Sequence, residues 1–391
     1  MMVTHRPDLD RRRVLAILAA GALPLVIPAL PGCATTTLAL APWNGPPPGE
    51  TDVRIRALSY AVLAPNAHNT QPWLIALRDG AIDLYVDKTR LLPETDPPFR
   101  QAHLSQGTFL EQLVLALGAS GQATDVAYFP EGEYGPTVVE DRPVARVSFA
   151  PAAVTVDPLF SAIPDRRSNK DLYDPDRRVP AADLEALAAA TRDPSNVRFV
   201  VDAAARARLT DICVEAMTAE VHSRTRDVET ARWFRFNDSE LEEKRDGFGL
   251  AQSGRTGFTK WYAETFLIDR ASAADPQGRF ARGAVDLSRD QAASAPAFGV
   301  LMSVANTRRA QVESGRAYAR LTLAATSRGI AIHPMSQALV EYADMSKLKA
   351  RLEREVALAA GATVQMFFRI GHADPTRHTP RRAVRAMLRP T

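Results

Sequence analysis

Two short segments of this 391-residue chain concentrate side chains that can do chemistry. Asp165-Arg166-Arg167-Ser168-Asn169-Lys170 sets three cations and a hydroxyl within five residues. That is enough to surround a phosphate with charge-assisted hydrogen bonds, arginine binding bidentately. The same residues also suit a basic surface turn. Ala64-Pro65-Asn66-Ala67-His68-Asn69-Thr70-Gln71-Pro72-Trp73 gathers two prolines, two asparagines, a glutamine and a tryptophan. Side-chain amides beside an aromatic suit the edge of a planar heterocycle, whose carbonyls and N–H groups need partners once buried. An ordered turn is the plainer use of the same Asn and Pro residues.

Composition narrows the field. Lys and Arg number 48 against 45 Asp and Glu, a formal charge of +3, so no basic field points to nucleic acid. Hydrophobic residues at 46% and charged residues at 24% describe an ordinary globular chain rather than a disordered one. Cys33 and Cys213 are the only cysteines, which excludes a disulfide scaffold and a multi-cysteine metal site. No phosphate loop, zinc-protease helix or nucleophile elbow occurs. Gly247, Gly249 and Gly254 lack dinucleotide spacing, and His372 and His378 have no acid or thiol cluster beside them, so no metal is expected.

The elements that must position these segments are partly readable. Ile82–Asp87 alternates with period two and predicts a strand with one buried face; Val144–Phe149 alternates likewise. Gln101–Leu117 carries leucines at helical spacing and is stopped by Gly118. Beyond Asp157 a second unit opens, with a helix from Pro180, a short strand at Val197–Val201, buried strands at Phe298–Val304 and Thr363–Ile370, and an alanine-rich helix over Gln311–Arg328. Both units run helix, strand and packing helix in loosely similar order. Residues 222–291 differ in character: Trp233, Phe234, Phe236, Phe248, Phe258, Trp261, Tyr262 and Phe266 stand among many charges. This suits a lid over a substrate channel or an amphipathic helical pair on the core. The charged run Asp238–Asp246 predicts a solvated helix face.

The N-terminus reads as an address. Arg11-Arg12-Arg13 precedes an apolar run to Leu30, the form of an export signal over residues 1–32 of twin-arginine type, which engages the export machinery for folded proteins; a transmembrane anchor is the alternative, near the lower length limit and broken by Pro24 and Pro28. Leu30-Pro31-Gly32-Cys33 resembles a lipoprotein box, so the mature protein is expected to be exported, periplasmic or membrane-attached through Cys33. A chance cysteine beside an ordinary cleavage site is the alternative. Pro42 and Pro46-Pro47-Pro48 predict an extended linker over 33–50, with the folded body starting near Thr51.

Taken together, Arg166-Arg167-Ser168 and Ala64–Trp73 resemble the nitroreductase superfamily of flavin enzymes. That family carries an R-R-S element for the phosphate of flavin mononucleotide (FMN) and an A-P-S-x-x-N-x-Q-P-W element for the flavin ring; here Asn66 replaces the serine. Gly315–Leu321, Gly329–Ser336 and Arg369-Ile370-Gly371 through Arg382 extend the likeness to about residues 54–382. It is closest to the Acg-like branch, in which one long chain replaces the usual homodimer. The family order is inverted, because the ring motif lies before residue 155 and the phosphate motif after it. The resemblance therefore implies an α+β fold of two fused halves, 51–155 and 156–391, each a small mainly antiparallel sheet flanked by helices. That pseudo-dimer would hold one FMN and act as a monomer.

The resemblance also implies roles. Arg166, Arg167, Ser168 and Lys170 would hold the phosphate, joined by Arg381 or Arg382 from the C-terminus. Pro65, Asn66, Asn69 and Gln71 would serve the ring, and the turn containing Pro334, Met335 and Ser336 would cover the reactive face. No catalytic acid or base is demanded, since the flavin carries the redox chemistry. The implied activity is two-electron transfer from NAD(P)H to nitroaromatic or quinone-like acceptors. The competing class is a non-catalytic FMN-binding protein that sequesters the flavin under a closed lid.

Overall fold

Alternation along the chain resolves into two four-stranded antiparallel sheets. The computed structural model describes residues 37–254, 275 and 278–389. The segment expected to direct export, Cys33, and Phe258, Trp261, Tyr262 and Phe266 lie outside the described residues.

The first sheet contains β1 (Trp73–Arg78), β2 (Ala81–Val86), β3 (Gln122–Tyr128) and β4 (Ala145–Pro151), in the order β1-β2-β4-β3. The second contains β5 (Val197–Val200), β6 (Ala297–Ser303), β7 (Ala331–Pro334) and β8 (Thr363–Gly371), in the order β5-β6-β8-β7. The two orders are identical, and every pairing is antiparallel. The architecture is α+β, with helices flanking both sheets. Strand β2 departs from expectation, since both its faces are buried. Asp83 tolerates this because Arg146 pairs with it at 2.6 Å and Arg78 closes the other side.

Nine helices surround the sheets among the described residues. Helix α1 (Val53–Ala61) begins at Asp52, whose carboxylate accepts from Arg54 N. Helix α2 (Arg100–Ala119) is buried almost throughout and starts on Asp96, whose carboxylate accepts from Gln101 N and Ala102 N. Helices α3 (Ala181–Ala190), α4 (Ala203–Val221), α5 (Arg224–Trp233), α6 (Asp238–Lys244) and α7 (Arg279–Ala293) follow. Helix α8 (Arg308–Thr326) is capped by Thr307, whose side chain accepts from Ala310 N, and α9 (Ser346–Glu355) leads to β8.

Helices α2 and α8 hold equivalent places, each between the second and third strands of its sheet. They cross through paired glycines: a β-carbon on Gly107 would meet Val312 O at 2.0 Å, and one on Gly315 would meet Leu104 O at 2.1 Å. The arginine that opens each helix reaches into the other half. Arg100 Nη1 donates to Gln365 O at 2.6 Å, and Arg308 Nε donates to Gly135 O at 3.1 Å. Such reciprocal contacts are those of an isologous two-fold interface, here within one chain.

Residues 37–50 are not the extended linker expected. They hold a 3₁₀ turn (Ala41–Asn44) whose Trp43 is buried, so the packed body already includes Thr37. The far end of the chain crosses back to the first half, where Arg389 N donates to Ile75 O and Leu388 bridges to Ile75. In the aromatic excursion, Phe234 packs edge-on to Phe236, Phe248 and Phe280. No described helix is long and apolar enough to cross a membrane.

Candidate functional site

The ring-motif segment runs from α1 into β1, and α2 pins it. Thr108 Oγ1 donates to Pro65 O at 2.6 Å, Gln106 Nε2 to Pro72 O at 2.7 Å, and Trp73 Nε1 to Ser105 O at 2.9 Å. Asn66 Oδ1 accepts from Gln71 N at 2.7 Å and closes the turn. Within it His68, Asn69 and Gln71 all adopt left-handed backbone, with φ of 47°, 52° and 52°. Side chains other than Asn rarely take this conformation, so the surroundings must enforce it. They do so largely through the side chains themselves. Asn69 Nδ2 donates to Gly247 O and Pro380 O at 2.8 and 2.9 Å, while Oδ1 accepts from Arg381 at 2.6 Å. Gln71 Nε2 donates to Arg245 O and its Oε1 accepts from Arg382 N. The amide capacity expected to face a heterocycle is thus committed within the protein; these residues knit the ring-motif loop to the excursion and to the C-terminal segment.

The phosphate-motif segment arrives from the second half and reaches the same place. Arg166 Nη2 donates to Leu63 O at 3.1 Å, one residue before the ring motif. Arg381 Nη2 donates to that carbonyl and to Ala64 O, so the two guanidinium groups share an acceptor. Arg167 Nη2 lies 2.9 Å from His378 Nε2, with half-buried Ser168 next in the chain. Lys170 lies further along, its Nζ 4.2 Å from the centre of the Phe248 ring.

No carboxylate pairs with Arg166, Arg167, Lys170 or Arg381 among the described residues. Arg166 and Arg381 are each only 2% exposed. Burial, followed by the charge of neighbouring arginines, pulls both guanidinium groups down, Arg166 to about 10. Arg166 Nε and Nη1, Arg167 Nε and Arg381 Nε are buried without hydrogen-bond partners. A buried cation left uncompensated costs several kcal/mol. Free donors on clustered buried cations have the chemistry to accept an anion, which would compensate both the charge and the unmade hydrogen bonds.

Arg382 departs from its expected place. It turns away from this cluster toward Asp87, at 3.7 Å, and donates to Gln71 O. Of Arg381 and Arg382 only Arg381 joins the cations; Arg382 instead faces Asp87, in the neighbourhood of Asp246 and Arg90.

The second sheet supplies a further wall. Arg369 on β8 is fully buried; it donates to Asn169 O, to Asp171 O at 2.6 Å and to His333 Nδ1 at 3.1 Å. Asn169 N donates to Ile332 O, so the phosphate-motif loop lies along β7. Pro334 ends that strand, Met335 N donates to Phe367 O, and Ser336 Oγ donates to the same carbonyl. Met335 is buried in the second core, so its side chain forms part of that core rather than an open face. Burial and the Lys170 charge push His68 down to about 4, and Lys170 itself is held at about 8 by burial and Arg369.

Sequence reasoning missed Trp43, His378 and Phe248 as neighbours of this cluster. Trp43 stacks on His378 with ring centres 3.9 Å apart. Trp43, Arg167 and His378 are separated from one another by more than 100 residues, so local spacing held no signal for their meeting. Cys213 is a buried core thiol, pushed up to about 12 by burial. No group of three metal-ligating side chains occurs among the described residues.

No protein-family model matches the chain. A Mycobacterium tuberculosis protein (strain H37Rv) named "Putative NAD(P)H nitroreductase Rv3131" is 28% identical over 344 residues, which cover 83% of this chain and 88% of that protein. The "Probable NAD(P)H nitroreductase PigM" of Serratia is 25% identical over 349 residues, covering 86% of this chain and 92% of that one. Among solved structures, the FMN-dependent nitroreductase NfnB of Mycobacterium smegmatis, in complex with NADPH, aligns with 59% of this chain and 96% of its own at 21% identity and a TM-score of 0.35. Along more than four-fifths of its length, then, the chain is similar to proteins that carry the nitroreductase name.

Proposed function

We propose that this protein is an FMN-dependent oxidoreductase of nitroreductase type, passing two electrons from a nicotinamide to nitroaromatic or quinone-like acceptors. The carrying observation is the cluster of Arg166, Arg167 and Arg381, none of them paired with a carboxylate among the described residues, where the phosphate-motif and ring-motif segments meet. The names of the relatives support the same reading. When bound, the flavin supplies the redox chemistry. Arg166, Arg167 and Arg381, with Ser168, would hold its phosphate by charge-assisted hydrogen bonds. Asn69 and Gln71 fix the ring-motif loop, and the Phe248 ring sits over Lys170 Nζ. In this reading the chain belongs to the single-chain, Acg-like branch and works as a monomer with one flavin.

The purified protein is expected to be yellow, and anaerobic mixing with NADH or NADPH to bleach it. An Arg166→Ala/Arg167→Ala double variant should lose the flavin; full occupancy in that variant overturns the site assignment.

A second reading, flavin sequestration without turnover, draws on the cover over the site. Gly247 N donates to Asn69 O, and Phe248 sits on Lys170, so the excursion closes directly on the loop. A yellow protein whose spectrum ignores both nicotinamides supports it. The N-terminal address adds to this reading, because export through the twin-arginine machinery would part the protein from the cytoplasmic nicotinamide pool. Intact mass of the membrane-associated protein tests the address: loss of residues 1–32 with a lipid on Cys33 is the expected result.

A further inference from the structure

The segment that follows the export address does more than connect. Leu38 N and Ala39 N donate to the Glu242 carboxylate at 2.8 and 3.1 Å, which ties the segment to α6. Ala39 O accepts from Arg381 N at 2.8 Å, and Trp43 Nε1 donates to Thr379 O at 2.8 Å, which ties it to the C-terminal crossing. The Trp43 indole, 8% exposed, stacks on His378 at 26° between ring planes, and the Arg381 guanidinium carbon lies 5.0 Å from the indole centre. Trp43 therefore touches His378, which contacts Arg167, and Arg381, whose guanidinium also binds Leu63 O and Asn69 Oδ1.

His378 is the informative partner. A guanidinium only donates, so the 2.9 Å contact with Arg167 Nη2 makes His378 Nε2 the acceptor and leaves the proton on Nδ1. That Nδ1–H is buried and has no hydrogen-bond partner. Burial, and then Arg167, Arg166 and Arg381, push the imidazole down to about 3, so it stays neutral at working pH. It is thus one more buried, unpartnered donor in the neighbourhood that also holds those of Arg166, Arg167 and Arg381.

We propose that Trp43 and His378 complete the phosphate site: His378 offers its Nδ1–H as a further donor, and residues 37–45 form a strap, led by Trp43, that closes over the cofactor's phosphate end. This rests on the FMN reading above. The strap excludes water from the arginines and slows the escape of bound cofactor. Loading must precede its closure, an order suited to a protein that is exported already folded.

The rate of FMN release from the holoprotein, read as recovery of free-flavin fluorescence after dilution, tests this. Trp43→Ala should speed release roughly tenfold or more, an off-rate effect of removing a closing contact. Glu242→Ala leaves the indole in place and frees only the strap's anchor, and should speed release by several-fold. His378→Phe keeps a ring under Trp43 but removes the donor, and should weaken equilibrium FMN binding roughly tenfold. Release within about twofold of the parent in Glu242→Ala, together with unchanged release in any folded Trp43→Ala, overturns the strap. A parent protein that is colourless and takes up no added FMN overturns the cofactor reading itself, and the strap with it.

Discussion

Gly107 and Gly315 face each other where α2 and α8 cross, each occupying the space in which the other's helix would need a side chain. The contact is reciprocal, since Val312 stands to Gly107 as Leu104 stands to Gly315. It joins the two halves through their long central helices.

Gly107→Ala or Gly315→Ala should accordingly destabilise strongly. A methyl group would meet a backbone carbonyl at 2.0 or 2.1 Å, and a carbonyl inside a packed helix cannot yield without moving the helix. Overpacking of this kind costs about 3 kcal/mol or more. Chemical denaturation should show a lower midpoint for each variant, whereas Gly283→Ala, at a position open to solvent, should be nearly neutral.

Arg166→Met separates stability from binding. It removes a buried cation that no acid compensates, so the flavin-free protein should gain about 1–3 kcal/mol. The same change deletes charge-assisted donors, so FMN affinity should fall at least roughly a hundredfold. Thermal unfolding without flavin and titration with flavin measure the two effects; a destabilised flavin-free variant would contradict the picture of stored electrostatic strain.

Asn69→Ala should loosen the loop. Three buried hydrogen bonds disappear, to Gly247, Pro380 and Arg381, and alanine is poorly suited to a φ of 52°. A loss of about 2–4 kcal/mol is expected. Asn69→Gly should recover the backbone part alone. Denaturation midpoints of the two variants separate the contributions.

Glu220 offers a pH test away from the site. Burial raises it from 4.5 to about 7; Arg226 opposes the rise, while Asp227 and Glu229 reinforce it. The folded protein then holds a proton that the unfolded chain has released, so stability falls as pH rises from about 4.5 to about 7. Glu220→Gln lacks this penalty. Its unfolding temperature should match the parent near pH 4.5 and pull ahead as pH rises, by an amount equivalent to at most about 3 kcal/mol above pH 7.

What could be read in advance follows physical range. Strands β6 and β8 and helix α8 were legible because burial imposes a period or an apolar run on neighbouring residues. The cations Arg166, Arg167 and Lys170 were legible as a cluster because they are neighbours in sequence, but the burial of Arg166 and its meeting with Arg381 were not. Strand β7, with four residues, is too short to show a period and is defined by pairing with β8. Helix α4 carries buried residues on a narrow stripe between many charges and alanines, which weakens its signature. Trp43 was hidden because prolines around it signal extended chain, while its packing depends on His378, more than 300 residues away. The amides of Asn69 and Gln71 were legible as important but not as structural, because their acceptors arrive from residues 245–247 and 380.

The bond between Asn69 and Arg381 spans the halves within one covalent chain. In a protein built from separate subunits, a pocket shared across the interface dissolves at low concentration. Here the meeting is unimolecular, governed by tethered local concentration rather than by how many copies surround it. Dilution leaves it whole. Each half is also released from the duty of serving as its own mirror image, which lets one keep the loop and the other the arginines.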